Sequence, residues 1–307
     1  MNRLIAYAQL VRLPNVFTAL ADICLAAMAL CHTNGRSLSG SRWLTVSLLM
    51  LSSAALYSAG MAWNDICDFE QDSGERPFRP LPSGRVSRRT AMLLAGALML
   101  LGILLAAGSD RIEVDRSQGT PAGLIALALS AVILLYDRLL KRTWLGPIAM
   151  GCCRFLNVRL AFCALPADHH ELAYALASIV GTYTIGLTWF ARREASESHA
   201  NQLRLAAFLS AGALLIAGFL PSELVPRGRT VEFWCILIAL IGWLGVPVVQ
   251  ALRKPGPQQV QYAVKRGVLG IILVDAVLAF GVAGVDGLAI ALLYLPAAAL
   301  GQLIYST

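Results

Sequence analysis

Ten long apolar segments follow one another along the chain, and they constrain the fold more than any other feature. Each is about 17 to 25 residues long, the length at which a helix crosses the hydrocarbon core of a bilayer. Because only residues 285–287 separate the last two, the sequence predicts nine or ten transmembrane helices. The segments lie at about 14–32, 43–63, 90–108, 121–137, 144–165, 172–190, 203–220, 232–251, 268–285 and 287–305.

These segments are apolar on every face, which indicates helices and excludes membrane barrel strands, whose residues alternate over about ten positions. The composition agrees, because 57% of the residues are hydrophobic and only 14% are charged, unlike a soluble domain. The connections are too short for a separate globular domain. We therefore predict one all-α domain over residues 1–307, a polytopic membrane helix bundle.

Basic residues are concentrated in alternate connections, with 17 Lys and Arg in one set and 6 in the other. The positive-inside rule places the richer set in the cytoplasm, so we expect a bacterial inner-membrane protein whose polar connections face the cytoplasm. The net charge of +7 favours membrane lipid and phosphates as partners. Nucleic acid is not expected, because the basic residues form no continuous stripe. The sequence predicts no oligomeric state.

An acidic stripe lies at the end of the second apolar segment, where the chain reads W-N-D-I-C-D-F-E-Q-D. On a helix, Asp65, Asp68 and Asp72 share one face with Asn64 beside them, while Glu70 points away. Like charges at this spacing repel, so a cation is expected between them. Oxygen ligands without His or Cys favour Mg²⁺. These three aspartates and Asn64 are predicted Mg²⁺ ligands, and a solvated acidic helix end is the alternative.

A proline-stiffened loop with five arginines follows directly, reading E-R-P-F-R-P-L-P-S-G-R-V-S-R-R over residues 75–89. Its prolines stop any helix, and Ser87 is the predicted N-cap of the third segment. Arginines beside a metal site indicate a phosphate clamp, in which we include Arg79. The alternative is topological, because positive-inside selection alone places arginines here.

The stripe and the loop together resemble the signature of the UbiA superfamily of intramembrane prenyltransferases, N-D-x-x-D-x-x-x-D followed by R-P-L-P-S-G, which here occupies residues 79–84. Tyr136 and Lys141 are similar to the family's Y-x-x-x-L-K-R pattern. The R-L-P-N sequence that ends at Asn15 is similar to the start of its first helix. The resemblance covers the whole chain in helix number and loop placement. It implies an all-helical bundle around a cavity open to lipid.

The same resemblance implies that Mg²⁺ binds a polyprenyl diphosphate, whose prenyl group is transferred to an aromatic or other lipophilic acceptor. Tyr136 would orient the diphosphate or shield the cation formed from it. The residues to which the resemblance gives catalytic roles are Asp65, Asp68, Asp72 and Tyr136. The residues to which it gives substrate-binding roles include Asn15, Asn64, Arg79 and Lys141.

The family's second aspartate motif has no counterpart at the end of the sixth segment, which reads T-W-F-A-R-R-E-A-S-E. Glu194 and Glu197 can offer oxygens to a metal, or Arg192 or Arg193 can bind phosphate directly. In a third interpretation, Arg193 and Glu197 form only a surface ion pair. The W-F-A-R-x-E-A pattern resembles the EboC-like branch of the superfamily, whose members are tied to export of secondary metabolites or lipids.

Charged residues also lie inside the apolar segments, at similar depths: Asp22, Arg154 and Asp275. An arginine at the centre of a membrane helix costs about 2.5 to 3.5 kcal/mol, so Arg154 needs a partner, and the two acids are candidates. Arg154 and Asn157, three residues apart, face the same way. We predict that they bind the polar group of the acceptor. A structural buried ion pair is the alternative.

Two functions are therefore open at the level of sequence. The first is a Mg²⁺-dependent prenyltransferase, which the joint motif favours. The second is a non-catalytic UbiA-like membrane protein that binds or exports a lipophilic metabolite, which the altered second motif favours. Diphosphate release that depends on Asp68 would distinguish the enzyme from the carrier.

Overall fold

The computed structural model describes residues 3–33, 40–112, 120–163, 170–192, 200–254 and 256–304. Within these ranges the secondary structure is entirely helical. The helices are α1 (Arg3–Leu10), α2 (Leu13–Thr33), α3 (Ser41–Cys67), α4 (Phe69–Glu75), α5 (Arg88–Ser109), α6 (Ala122–Leu135), a π-helical turn (Tyr136–Leu140), α7 (Gly146–Phe162), α8 (His170–Ala191), α9 (Ala200–Ala217), α10 (Val231–Arg253), α11 (Pro257–Ala283), a 3₁₀ segment (Gly284–Leu293) and α12 (Tyr294–Leu303).

Every predicted apolar segment coincides with a helix or a pair of helical elements, so the all-α class is confirmed for the described residues. Six helical stretches in the described part of the chain are long and apolar enough to cross a membrane. A seventh appears if α1 and α2, which meet at 46°, count as one span. The predicted number of nine or ten spans is not confirmed.

One of these stretches, Pro257–Leu303, is 47 residues long, about twice the length that one crossing needs. Gly284 has a φ of +69°, a conformation that suits glycine. Gly287 packs so tightly against the backbone of Ala279 that a side chain there would collide with it. In a straight helix, residues eight apart would be about 12 Å distant. The stretch is therefore a hairpin, with the 3₁₀ segment folded back on α11.

The bundle is built around α2 and α11, which pack against each other and contribute many fully buried side chains. α2 also contacts α3 and α7, α7 packs on α8, and α8 packs on α9. The contact between α7 and α8 is close, because a Cβ at Gly151 would lie 2.7 Å from the carbonyl oxygen of Gly181. Small residues permit such close approach between apolar helices.

The loop between α4 and α5 is ordered by its own hydrogen bonds. The Ser83 N–H donates to the Arg79 carbonyl at 3.0 Å, and the Val86 N–H donates to the Pro80 carbonyl at 3.1 Å. Ser87 is the N-cap of α5, as the sequence predicts, and its hydroxyl accepts from the Thr90 N–H at 3.1 Å. Arg79 of this loop lies next to the end of α3.

Candidate functional site

The acidic stripe runs through a bend in which α3 ends and α4 begins. The Asp68 N–H donates to the Asn64 carbonyl at 3.0 Å, and the Asp72 N–H donates to the Asp68 carbonyl at 2.8 Å. Helical spacing therefore continues through the bend. Asp65 and Asp72 are only 4% and 3% exposed, whereas Glu70 is exposed, as the helical arrangement predicts.

Arg79 joins two of these aspartates. Its Nη1 atom lies 2.6 Å from Oδ2 of Asp72 and 3.5 Å from Oδ1 of Asp65. The guanidinium is itself buried at 6% exposure, and a buried charge needs such partners. The arginine loop thus contributes a cation directly to the acidic stripe. Positive-inside selection alone would not require this contact.

The other cations come from two further segments. Arg12, between α1 and α2, places Nη2 at 3.4 Å from Oδ1 of Asp65. Lys141, just after the π-helical turn, forms an ion pair with Oδ2 of Asp68. Two distant segments and the adjoining arginine loop therefore converge on α3 and α4. We call this set the helix-end cluster; it comprises Arg12, Asn64, Asp65, Asp68, Asp72, Arg79, Asp137 and Lys141.

Asp137 is, with Arg12, one of the two members of the cluster that the sequence reasoning did not assign to the site. It lies in the π-helical turn next to Tyr136, is 8% exposed, and its Oδ1 accepts from Nδ2 of Asn64 at 2.7 Å. The available signal was an acidic residue at the end of a predicted membrane helix, where an unpartnered charge is costly. Tyr136 begins the same turn, and its carbonyl accepts from the Lys141 N–H at 2.8 Å.

The oxygen atoms of the cluster are of the type that binds Mg²⁺. In this structure, basic side chains neutralise the acids that carry them. The described residues contain no group of three His, Cys, Asp or Glu side chains arranged to hold a metal. The aspartates instead face Arg12, Arg79 and Lys141. The remaining donors are carboxylate oxygens and the Asn64 carbonyl, the ligand types that Mg²⁺ prefers. The ion pairs with the basic residues are made through Oδ1 of Asp65, Oδ2 of Asp68 and Oδ2 of Asp72.

The predicted second site is only partly visible. Arg192, at the end of α8, donates from Nη2 to the Arg142 carbonyl at 3.3 Å, which brings it beside the segment that carries Lys141. Arg193, Glu194 and Glu197 lie outside the described residues. Their predicted roles as phosphate or metal ligands stay predictions.

Asn15 lies on the side of the cluster that faces the bundle interior. Its backbone N–H donates to the Arg12 carbonyl at 2.8 Å, and its side chain lies near the Tyr57 hydroxyl. Tyr57 in turn stacks near Arg154, whose guanidinium carbon is 5.9 Å from the ring centroid. Asn15 and Tyr57 therefore stand between the helix-end cluster and the polar groups deeper in the bundle.

A second polar assembly lies among the interiors of α2, α3 and α7. Arg154 Nη1 is 2.7 Å from Oδ2 of Asp22 and donates to the Thr18 carbonyl at 3.0 Å. Asn157 Nδ2 donates to the same Asp22 oxygen at 2.8 Å, and its Oδ1 accepts from the Ser53 hydroxyl at 2.7 Å. We call Thr18, Asp22, Ser53, Arg154 and Asn157 the interior network.

This geometry confirms that Arg154 and Asn157 face the same way and that Asp22 is the partner of Arg154. The donors of both side chains are directed at Asp22 and at backbone carbonyls of α2. The arrangement therefore favours the structural ion pair over a role in acceptor binding, which stays a prediction. Asp275 of α11 lies against Asp22, and no donor among the described residues contacts either of its buried oxygens.

Comparison with known proteins agrees with the resemblance that the sequence motifs show. Residues 21–264 match the model of the UbiA prenyltransferase family. The digeranylgeranylglyceryl phosphate synthase of Metallosphaera sedula is 41% identical over 96 residues, 31% of this chain and 31% of that protein. The synthase of Ignicoccus hospitalis is 29% identical over 164 residues, 48% of this chain and 51% of that protein.

A longer match joins the chain to the 4-hydroxybenzoate octaprenyltransferase of Xylella fastidiosa, 28% identical over 225 residues, 69% of this chain and 72% of that enzyme. The matches to the two synthases span only about a third and about half of their length. These relatives therefore establish kinship, while the activity of this chain has to be argued from its own site.

Solved structures share the fold. One described as a study of digeranylgeranylglyceryl phosphate synthase in membranes gives a TM-score of 0.62 at 17% identity, covering 92% of this chain and 99% of that chain. A UbiA homologue from Archaeoglobus fulgidus, bound to DMAPP and Mg²⁺, gives a TM-score of 0.51 at 16% identity, covering 89% and 98%. At these identities the likeness supports the architecture alone.

Proposed function

Because this chain belongs to the UbiA prenyltransferase family, we propose that it transfers a prenyl group from a polyprenyl diphosphate to an aromatic or other lipophilic acceptor. The observation that carries the proposal is the bridge that Arg79 makes between Asp72 and Asp65, with Lys141 on Asp68. It joins both halves of the motif in one cluster at a helix end. An array of alternating charges at this position suits an anionic headgroup whose chain lies in the apolar bundle.

Asp65, Asp68, Asp72 and Asn64 would hold Mg²⁺, which supplies positive charge against the diphosphate and favours its departure. The basic side chains now paired with these acids can turn to the phosphate oxygens, because charge-assisted hydrogen bonds to phosphate are at least as strong. Arg12 and Lys141 are suited to this exchange, since their side chains are 22% and 19% exposed. Tyr136 would stand next to the reacting carbon.

In the reaction, the C1–O bond of the prenyl diphosphate breaks and its electron pair leaves with the diphosphate. An electron-rich carbon or oxygen of the acceptor forms the new bond to C1 and then loses a proton. Arg79, Lys141 and Arg192 take up the charge that builds on the leaving group. The apolar helix walls keep water from the cationic centre.

The acceptor is proposed from the relatives. Their names indicate a prenylated glycerol phosphate for the archaeal synthases and 4-hydroxybenzoate for the bacterial enzyme. Both acceptors combine a nucleophilic oxygen or ring carbon with a negative charge, which a basic site can hold near the reacting carbon. We propose one of these two acceptor classes.

We propose that the chain crosses the membrane nine or ten times. The helix-end cluster then lies at the cytoplasmic face of a bacterial inner membrane. The reversal at Gly284 supports it, because the stretch after α10 then crosses twice. The charge asymmetry between alternate connections supports the orientation. Accessibility of single cysteines introduced at Glu70 and Val285, which lie in opposite sets of connections, would test both.

A non-catalytic carrier of a lipophilic metabolite is the second candidate, favoured by the sequence T-W-F-A-R-R-E-A-S-E where the family carries its second aspartate motif. Such a protein would keep the first charged cluster as a binding site for an anionic headgroup. It would bind prenyl diphosphate in the presence of Mg²⁺ without releasing diphosphate.

The deciding experiment is a diphosphate-release assay with the purified full-length protein. It uses labelled geranyl, farnesyl and longer prenyl diphosphates, Mg²⁺, and both proposed acceptor classes. Release that requires an acceptor and is lost in Asp68→Asn supports the enzyme. Glu70→Gln is the matched control, because Glu70 is an exposed acid of the adjacent helix turn. Binding without release across all donors and acceptors overturns the enzyme in favour of the carrier.

A further inference from the structure

The π-helical turn after α6 aligns two residues with two residues at the end of α3. Asn64 lies in the last turn of α3 and Asp68 is its C-cap, four residues on, and Asp137 and Lys141 are four apart across the turn. Asn64 bonds Asp137 and Asp68 bonds Lys141, which gives two adjacent cross-links. The N–H of Lys141 reaches back five residues to the Tyr136 carbonyl. Single π turns of this kind interrupt α-helices frequently at functional sites.

The bond between Asn64 and Asp137 fixes the orientation of an amide. A carboxylate only accepts hydrogen bonds, so Asn64 must present its NH₂ group to Asp137. The amide carbonyl oxygen then points away from Asp137 and is available to a cation. The contact distance of 2.7 Å and the burial of Asp137 make this a well-defined contact. Without such a partner, the amide could rotate and present N–H groups to a metal, which repel it.

We propose that Asp137 is a positioning residue that holds the Asn64 carbonyl oxygen ready as a neutral ligand of the cation site. The inference rests on the proposed function, because it assigns Asn64 to that site. Groups behind a metal ligand orient it, and their loss typically reduces metal affinity 10- to 100-fold. Asp137 differs from the three stripe aspartates in its partner. Its Oδ1 accepts a hydrogen bond from the neutral amide of Asn64, whereas the stripe aspartates pair with basic side chains.

Calorimetric titration of Mg²⁺ into the full-length protein, with inorganic diphosphate present, tests this role. Asp137→Asn is the principal variant, because its amide permits both orientations of Asn64; we expect Mg²⁺ affinity to fall about tenfold. Arg138→Gln is the matched control, since Arg138 is an exposed neighbour in the same turn, and its Mg²⁺ affinity should stay unchanged. Asp137→Glu keeps an acceptor near Asn64 and should lose less affinity than Asp137→Asn.

The same titration in an Asn64→Ala background identifies the route of the effect. If Asp137 acts through Asn64, Asp137→Asn should cause no further loss once Asn64 is absent. Equal losses in both backgrounds, or an unchanged affinity in the folded Asp137→Asn protein, would overturn the positioning role and leave the proposed function intact. Failure of the unsubstituted protein to bind Mg²⁺ with diphosphate would overturn both. Should Asp137→Asn not fold, Asp137→Ala, which also removes the carboxylate acceptor, is judged by the same criteria in the same two backgrounds.

Discussion

The helix-end cluster and the interior network are both built from aspartates and basic side chains, but they are constructed differently. In the helix-end cluster, Arg12 and Lys141 reach their acids as long side chains from separate segments and keep about a fifth of their surface exposed. In the interior network, Arg154 and Asn157 are bound to Asp22 and also to backbone carbonyls of α2, and Asp22 is completely buried.

This difference indicates in which cluster a ligand can replace an aspartate as the partner of a basic side chain. Partly exposed ion pairs cost little to open, because water and ligands replace the lost contact. A buried arginine that loses its acid leaves an uncompensated charge in the bundle. Through Arg12 and Lys141, the helix-end cluster can therefore bind and release an anionic ligand, while the interior network holds α2 against α7. Substitutions should change activity in the first cluster and stability in the second.

The largest effect is expected for Asp22→Ala. Removing this acid leaves Arg154 buried without its counter-ion and takes the shared acceptor from Asn157. We expect the free energy of unfolding to fall by about 3 to 5 kcal/mol, measured by thermal unfolding in detergent micelles. Asp22→Asn, which keeps an acceptor oxygen of the same size, should lose less. Equal stability of the alanine variant and the unsubstituted protein would contradict the structural role.

Asp72→Asn should have the complementary effect. The amide oxygen can still accept from Arg79, and Asp65 remains 3.5 Å from the arginine, so the thermal midpoint should fall less than that of Asp22→Ala. The negative charge of Asp72, however, is lost from the site. We expect turnover to fall about 100- to 1000-fold, as for other preorganised electrostatic contacts at reacting centres. Unimpaired turnover, or a midpoint that falls as far as that of Asp22→Ala, would remove the proposed distinction between the two clusters.

Much of this architecture could be predicted from local sequence. Long apolar runs mark the helices, and the spacing of Asp65, Asp68 and Asp72 places them on one face. The depth of Asp22 and Arg154 in separate segments correctly indicated that they could meet. These predictions succeed because periodicity and segment length act within one helix at a time.

The cross-links between segments could not be predicted in the same way. The contacts of Arg12 with Asp65 and of Lys141 with Asp68 join residues 53 and 73 positions apart, and they depend on how the helices pack. The π-helical turn leaves no signature in hydrophobic periodicity. Asp137 is therefore assigned only to the end of an apolar segment and not to the site. The reversal at Gly284 could be placed only approximately, because Val, Asp and Gly do not specify a 3₁₀ segment.

A smaller effect on stability is expected for Ser53→Ala in the interior network. The Ser53 hydroxyl donates to Oδ1 of Asn157 at 2.7 Å, so the substitution leaves a buried acceptor without this donor. The cost of an unsatisfied buried group is about 1 to 3 kcal/mol. Thermal unfolding should show this loss, whereas Mg²⁺ affinity should stay unchanged. A changed Mg²⁺ affinity would mean that the interior network and the helix-end cluster are not independent.

The smallest effect is expected for Asp275→Asn, which tests whether every acidic side chain in the interior contributes to stability. Asp275 is fully buried, lies against Asp22, and neither of its oxygens contacts a donor among the described residues. An asparagine replaces one of two adjacent buried acids and supplies an NH₂ group to Oδ1 of Asp22, which also lacks a donor in the described part of the chain. We expect the free energy of unfolding to rise by about 1 kcal/mol. A fall comparable to that of Asp22→Ala would instead show that the Asp275 carboxyl group is essential to the fold, and the interior network would then have to include it.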